Sequence, residues 1–298
     1  MTFRHLEAFI QVALQGGFTR AADKLCLTQP TVSGQIKELE QELGVSLFHR
    51  LPRVVQLTEA GELLLPRARE LLGSRESLLE WVAAYRGLLW GRLTVHASTI
   101  PGEYLLPPLL AAFKREYPEI LLTLRIQDSG EVLEQLRRSE AALGVVGKQD
   151  NAGGLEFRPL WQDRIALFAA CKAPTGPRLG LDDLRREPVV VREEGSGTRR
   201  AMEGALKSQG LPMSDLNVVS EFGSTTAVKQ AVAAGIGVGF LSDVSVGTEL
   251  TAGTLREVAI DGLPPLTRRF YVAWDPDRAL SPACERFRDF LLASSSSN

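Results

Sequence analysis

The sequence predicts three parts: an N-terminal all-α domain with a small β-hairpin, a long linker helix, and an α/β region of two Rossmann-like subdomains. Three observations predict this. Apolar residues recur at helical spacing in short capped segments up to Gly44, then switch to period two through Leu57. From Thr58 to Gly87 no clear helix breaker intervenes. From Gly91 strand-like and helix-like segments alternate, which is the texture of α/β sheets. The expected boundaries are 1–58, 59–88 and 89–298. Within the last part, 89–162 with 267–298 form one subdomain and 163–266 the other.

Phe3, Leu6, Phe9, Ile10 and Ala13 place a helix over 3–15, ended by Gly16-Gly17. Thr19 is the expected cap of a short helix over 20–25, whose Ala21 and Ala22 allow close packing. Thr28 caps the next helix, with Pro30 in its first turn, where a missing N–H costs nothing. That helix runs to about Glu40 with Val32, Ile36 and Leu39 inward. Two helices joined by so short a turn make a helix-turn-helix. Residues 47–50 and 54–57 read as two short strands around Leu51-Pro52-Arg53, a wing beside the helices.

Thr58 caps the linker helix, and Pro66 within it predicts a kink or a lost hydrogen bond. Leu64, Ala68, Leu71, Arg75, Leu78, Val82 and Tyr85 alternate by four and three, a short coiled-coil seam that favours dimerisation over packing within one chain. In the α/β region strands are expected at 92–97, 120–127, 142–146, 165–170, 189–192, 217–221, 238–241 and 268–274. Helices are expected at 105–116, 130–139, 198–209, 225–234 and 282–292. The regular alternation favours parallel sheets, and the chain is expected to cross between subdomains near Asp163 and Leu266.

Composition narrows the function. The chain has 298 residues, 44% hydrophobic and 23% charged, with net charge −2, as expected of an ordinary globular protein of two or three domains. Apolar runs are too short for a membrane span, and the first twenty residues lack the order of a secretion signal, so a cytoplasmic protein is expected. Cys26, Cys171 and Cys284 are far apart and odd in number, which indicates neither a disulfide framework nor a zinc site. Cys171 has a redox-sensing reading, but without a resolving partner nearby an incidental thiol is favoured. The three His show no ligand pairing and no nucleophile–His–acid arrangement, and no phosphate loop or dinucleotide fingerprint is present, so neither an enzyme nor a cofactor is expected.

Residues 1–58 hold six Lys/Arg against five acids, so nucleic-acid binding must rest on charge placement and on paired copies. A recognition helix presents its N-terminal polar side chains to base edges. Here those are Gln29, which can bond adenine in a bidentate manner, with Thr31 and Ser33. Lys37 and Arg50 suit phosphates, and Arg53 at the wing tip suits a narrow minor groove. The plainer alternative is a solvated helical surface, which the wing disfavours. In the α/β region Ser98-Thr99-Ile100-Pro101-Gly102, Gly195-Ser196-Gly197-Thr198-Arg199 and Gly223-Ser224-Thr225-Thr226 each follow a strand and open a helix. Helix N-termini with hydroxyl side chains are ready anion sites, although capped strand-to-helix turns occur in any α/β domain.

The run Phe18-Thr19-Arg20-Ala21-Ala22, Leu27-Thr28-Gln29-Pro30-Thr31-Val32-Ser33, Gln35 through Glu40, Leu43 through Phe48, Arg50 and Leu57 through Gly61 closely resembles the DNA-binding domain of LysR-type transcriptional regulators. The resemblance covers the segment without a gap. It implies an α/β region like a periplasmic substrate-binding protein, whose cleft binds an effector between the subdomains. The implied DNA-contacting set is Thr28, Gln29, Pro30, Thr31, Ser33, Lys37, Arg50 and Arg53. The implied effector-binding set is Ser98, Thr99, Ile100, Gly147, Ser196, Thr198, Arg199 and Thr225, with Arg199 as well suited to a surface ion pair. Implied partners are double-stranded DNA, a small-molecule or anionic effector, a homo-oligomer (dimer or tetramer), and RNA polymerase if the protein activates. Residues 98–107 with 192–199 look similar to members that govern sulfur or selenium metabolism, which suggests an oxyanion such as sulfite or sulfate. Two positions depart from the family: Gly34 stands where a polar side chain is frequent, and Pro52 where Gly is usual.

Overall fold

The computed structural model describes residues 1–51, 54–85, 90–150 and 153–295. The chain forms two compact units, residues 1–89 with 138–140 and residues 90–137 with 141–298. Among the described residues no helix is long and apolar enough to cross a membrane.

In the first unit α1 (Phe3–Gln15) begins where the Thr2 side chain accepts a hydrogen bond from the His5 amide, and it ends at Gly16 in the left-handed region. α2 (Phe18–Leu25) starts two residues ahead of expectation. Thr19 therefore lies inside its first turn, and Gly17, which has no side chain to cap with, precedes the helix. α3 (Gln29–Leu43) is capped as expected: the Thr28 hydroxyl accepts from the Thr31 amide at 3.4 Å. It runs past Glu40 to Gly44, whose φ of 70° ends it. β1 (Phe48–Leu51) and β2 (Val54–Leu57) pair antiparallel as the wing. Glu40 fixes that wing to α3 by accepting from the amides of Leu47 and Phe48.

α4 (Glu59–Tyr85) follows Thr58, whose hydroxyl accepts from the Gly61 amide at 3.1 Å and donates to the Ser46 carbonyl at 2.7 Å. Gly61 has a steric reason, since a Cβ there would collide with the Leu47 carbonyl. Pro66 lies within the helix. The core joins α1, α2 and α3 through Leu6, Phe9, Ala21, Ala22, Ile36 and Leu39, with Phe48 set 5.5 Å from Phe9 and 5.8 Å from Phe18. The seam divides. Leu64 and Ala68 pack into this core, and Arg75 pairs with Glu7 and covers the Phe3 ring of α1. Leu71, Leu78 and Val82 are exposed on the single chain.

The second unit begins with β3 (Gly91–Ser98), a π-helical turn (Pro101–Leu105) and α5 (Leu106–Glu116). β4 (Ile120–Gln127), α6 (Ser129–Arg137) and β5 (Gly144–Val146) complete a parallel β4-β3-β5 array. β6 (Glu156–Ala170) is a single strand of fifteen residues. It is followed by β7 (Arg178–Leu179), α7 (Leu181–Leu184), β8 (Pro188–Arg192), α8 (Gly197–Ser208), β9 (Asn217–Phe222) and α9 (Thr225–Ala233). β10 (Val238–Ser242), α10 (Gly247–Thr251), β11 (Leu255–Ile260), β12 (Leu266–Trp274) and α11 (Pro282–Ser295) close the chain.

The strands join in the order β4-β3-β5-β12-β6-β10-β8-β9, with β11 beside β6 and β7 beside β11. The sheet is mixed, which corrects the expectation of parallel sheets. β12 runs antiparallel to β5 and β6, and β6 runs antiparallel to β10 and β11. β6 explains the difference. Its first half pairs with β12 up to Ile165↔Leu266, and its second half turns to β10 and β11. Two lobes thus share two continuous strands, each with its own apolar core. One core centres on Val132, Leu133 and Val146, the other on Leu167, Val191 and Phe240. The first half of β6, together with β7 and β11, was absent from the strands expected from sequence.

Candidate functional site

Two surfaces gather the sequence-derived site residues, one in each unit. In the first, Thr28, Gln29, Pro30, Thr31, Ser33 and Lys37 are all exposed, from just before α3 to its middle. The buried stripe Val32, Ile36 and Leu39 faces the core and leaves them outward. The Thr28 and Thr31 hydroxyls bond each other at 2.8 Å, which fixes the start of the helix. Nothing lies within 4 Å of where a Cβ on Gly34 would sit, so this departure is not dictated by packing. Arg50 stands on β1, and Pro52 and Arg53 lie outside the described residues.

In the second unit strand ends and helix starts surround an open hollow of about 380 Å3. Ser98, Thr99 and Ile100 enter from the end of β3, Asp128 and Ser129 from the start of α6, and Gly147 from the end of β5. The other lobe supplies Arg192 at the end of β8 and Glu193 just after it, and Ser196, Gly197 and Thr198 at the start of α8. Arg268 and Phe270 of β12 complete it. Ligands of open α/β sheets sit beyond such strand ends. Ser196 makes no side-chain capping bond at α8, so its hydroxyl is not committed to the helix start. Gly147 keeps the wall thin, because a Cβ there would press to 3.1 Å from the Phe270 ring.

The charges are buried and matched. The Arg192 guanidinium, 6% exposed, forks onto both Glu193 oxygens at 2.7 Å and donates to the Thr225 hydroxyl. Burial would raise the Glu193 carboxyl, but hydrogen bonds from Arg192 and from its own backbone, with the charges of Arg192 and Arg199, hold it below the usual glutamate value. Arg268 donates through Nε to Asp163 at 2.8 Å and through Nη1 to the Thr198 hydroxyl at 3.2 Å, and it lies over the Phe270 ring. Burial pulls the Arg268 guanidinium below its ordinary range, opposed by Asp163 and assisted by Arg192. Asp128 is spent locally, accepting from the amides of Gly130 and Glu131.

Two expected effector residues are placed elsewhere. Arg199 does not line the hollow: it pairs with Glu203 and Glu221 and donates to the Arg192 carbonyl. Those bonds, Glu203 foremost, hold its guanidinium above its usual value. Thr225 is buried behind Arg192 and orients it, outside the lining. Sequence reasoning passed over Asp128, Ser129, Arg268 and Phe270, and it left Arg192, Glu193 and Gly197, although they lie in runs it singled out, outside the expected effector-binding set. The signal for the two cations was a charge closing or opening an apolar strand, as in Val189-Val190-Val191-Arg192.

Residues 3–62 match the family model described as bacterial regulatory helix-turn-helix protein, lysR family, and residues 86–296 match the LysR substrate binding domain. The HTH-type transcriptional activator CmpR of Synechocystis sp. is 34% identical over 98% of this chain and 95% of its own length. Full-length CbnR, solved in complex with its target DNA, is 25% identical with a TM-score of 0.72, covering 99% of this chain and 100% of that one. The regulatory domain of Synechocystis PCC6803 CcmR, solved with 2-PG, is 28% identical with a TM-score of 0.62, covering 69% of this chain and 97% of that one.

Proposed function

Because the chain belongs to the LysR family of bacterial transcriptional regulators, we propose that its promoter binding is switched by a small oxyanion held in the hollow between the two lobes. The protein is a DNA-binding transcription regulator with an effector-binding domain. One observation carries the anion reading: hydroxyls of Ser98, Thr99, Ser196 and Thr198, contributed by both lobes, line one hollow with Arg192 and Arg268. Hydroxyl donors, the start of α8 and the Arg268 guanidinium favour negative charge, while Arg192 is committed to Glu193 and Thr225.

Sulfite or sulfate is the first ligand reading, from the similarity of residues 98–107 and 192–199 to sulfur- and selenium-associated members. A second reading is a larger organic anion, favoured by the CcmR regulatory domain solved with 2-PG. Thermal unfolding of the full chain against sulfite, sulfate and 2-PG separates them. A ligand at 100 times its dissociation constant adds ~2.7 kcal/mol, enough for a visible shift. The paired variant Ser98→Ala, Thr198→Ala is expected to lose that shift. A shift with none of the three anions, or one that survives the paired variant unchanged, discards this site.

On DNA, Gln29, Thr31 and Ser33 read base edges, with Thr28 and Pro30 shaping the start of the helix and Lys37, Arg50 and Arg53 taking the backbone and minor groove. Two copies pair through the exposed Leu71, Leu78 and Val82 of α4, which supports a dimer or a tetramer built from it. Sedimentation of Leu78→Glu tests this, with a lighter species expected. A ligand acts by binding one lobe arrangement more tightly than the other, and so changes which half-sites the paired helices engage.

A further inference from the structure

The two guanidiniums in the hollow are differently committed. Arg192 has its fork filled by both Glu193 oxygens and its remaining Nη1 bonded to Thr225. Arg268 is nearly as deeply set, with its side chain 10% exposed, yet one of its nitrogens, itself buried, has no hydrogen-bond acceptor. Its Nη2 lies 2.7 Å from Asp163 Oδ2, off the hydrogen-bond direction, and has no hydrogen-bond acceptor. Arg268 lines the hollow beside the start of α8, where a Cβ on Gly197 would sit 3.6 Å from Nη1.

Its partner is equally specific. Asp163 and Arg268 face each other across β6 and β12, the strands on which the chain passes between the lobes. The Asp163 side chain is wholly buried, and its second oxygen accepts from the Ser242 hydroxyl of β10 at 2.7 Å. A guanidinium carries five donors in a rigid fork, so an oxyanion can take what Asp163 leaves unused. We propose that Arg268 reads the charge of the effector, and that Asp163 and Ser242 set how strongly, because anion and Asp163 compete for one guanidinium. This rests on the anion reading of the hollow. An anion drawn onto Arg268 loosens its hold on Asp163, so capture is felt by both connecting strands and by β10. The ligand class follows: oxyanions rank by charge, and an uncharged molecule of the same shape is excluded.

The test titrates the full chain with sulfate, methanesulfonate and dimethyl sulfone, which share a tetrahedral sulfur and differ in charge, read by tryptophan fluorescence and thermal unfolding. The native protein is expected to bind in that order, with dimethyl sulfone weakest. Arg268→Gln should weaken sulfate about tenfold or more and flatten the ranking, since a charged hydrogen bond is lost. Arg268→Lys, which keeps the charge without the fork, should fall between. Ser242→Ala should tighten sulfate several-fold, because Asp163 loses a bond that positions it. Since Arg268→Gln strands a buried carboxylate and can unfold the chain, Arg268→Gln with Asp163→Asn removes both charges. If that folded double variant still prefers sulfate over methanesulfonate as the native protein does, the role of Arg268 is overturned while the anion site stands. If the native protein binds neither anion, the anion reading falls and this inference with it.

Discussion

The α3 face proposed to meet DNA and the hollow proposed to hold an effector are built in opposite ways. On α3 the polar side chains stand exposed on one continuous helix, held outward by Val32, Ile36 and Leu39. In the hollow, side chains arrive from β3, α6, β5, β8, α8 and β12, and the charges are buried against carboxylates. Exposed charges interact weakly and are screened, whereas buried pairs are expensive to break. The difference teaches where a substitution should be felt: on α3 in binding, in the hollow in folding first.

Four substitutions break or sharpen that contrast. Asp163→Ala carries the largest expected effect, about 3–5 kcal/mol of unfolding free energy, because it leaves the Arg268 guanidinium buried and unpaired. Denaturant titration measures it, and a loss under about 1 kcal/mol would show that the pair is effectively solvated. Gln29→Ala should cost ~1–3 kcal/mol of discrimination between operator and random DNA with no change in melting. Equal weakening on both DNAs would make Gln29 a positioning residue. Thr28→Ala crosses the contrast, since the residue sits on the DNA face yet caps α3; about 1 kcal/mol of stability should go. Unchanged melting would show that the Thr28–Thr31 pair does not stabilise the start of α3.

Glu193→Gln should have the smallest effect, and it depends on pH. The folded carboxyl lies below the ordinary glutamate value of 4.5, so its stabilisation is full above that value. It is lost as pH falls through the depressed folded value. The melting difference between native and variant should therefore be constant near neutrality and shrink in acid. A difference that grows in acid would reverse the assigned sign.

The contrast also explains what could be read beforehand. Thr28 before Pro30 and the Val32–Ile36–Leu39 spacing are local signals in nearby residues, and α3 starts and buries as they imply, although it runs past the expected end at Glu40 to Leu43. Thr19 misled because its neighbour Gly17 leaves room for the helix to begin at Phe18. The first half of β6 escaped because Arg158, Gln162 and Asp163 interrupt the apolar alternation expected of a strand. Of these, Asp163 and Gln162 face Arg268 and Arg269 of β12. A pairing over a hundred residues apart leaves no local trace. Arg199 and Thr225 both follow suggestive turns, and the fold pairs Arg199 with Glu203 and Glu221 and Thr225 with Arg192, which no local signal announces.

The pairing of β6 with β12 has a consequence for the order of folding. With Ile165 opposite Leu266, these strands are the stem of a hairpin whose connecting loop, residues 166–265, has swollen into a lobe. Closing a flexible loop grows costlier with its length, though slowly. Once the insert has folded on itself and drawn its two ends together, the stem closes as cheaply as a tight turn. The insert is thus expected to precede its host, so pulse-labelled amide exchange should show β8 and β10 protected before β5 pairs with β12.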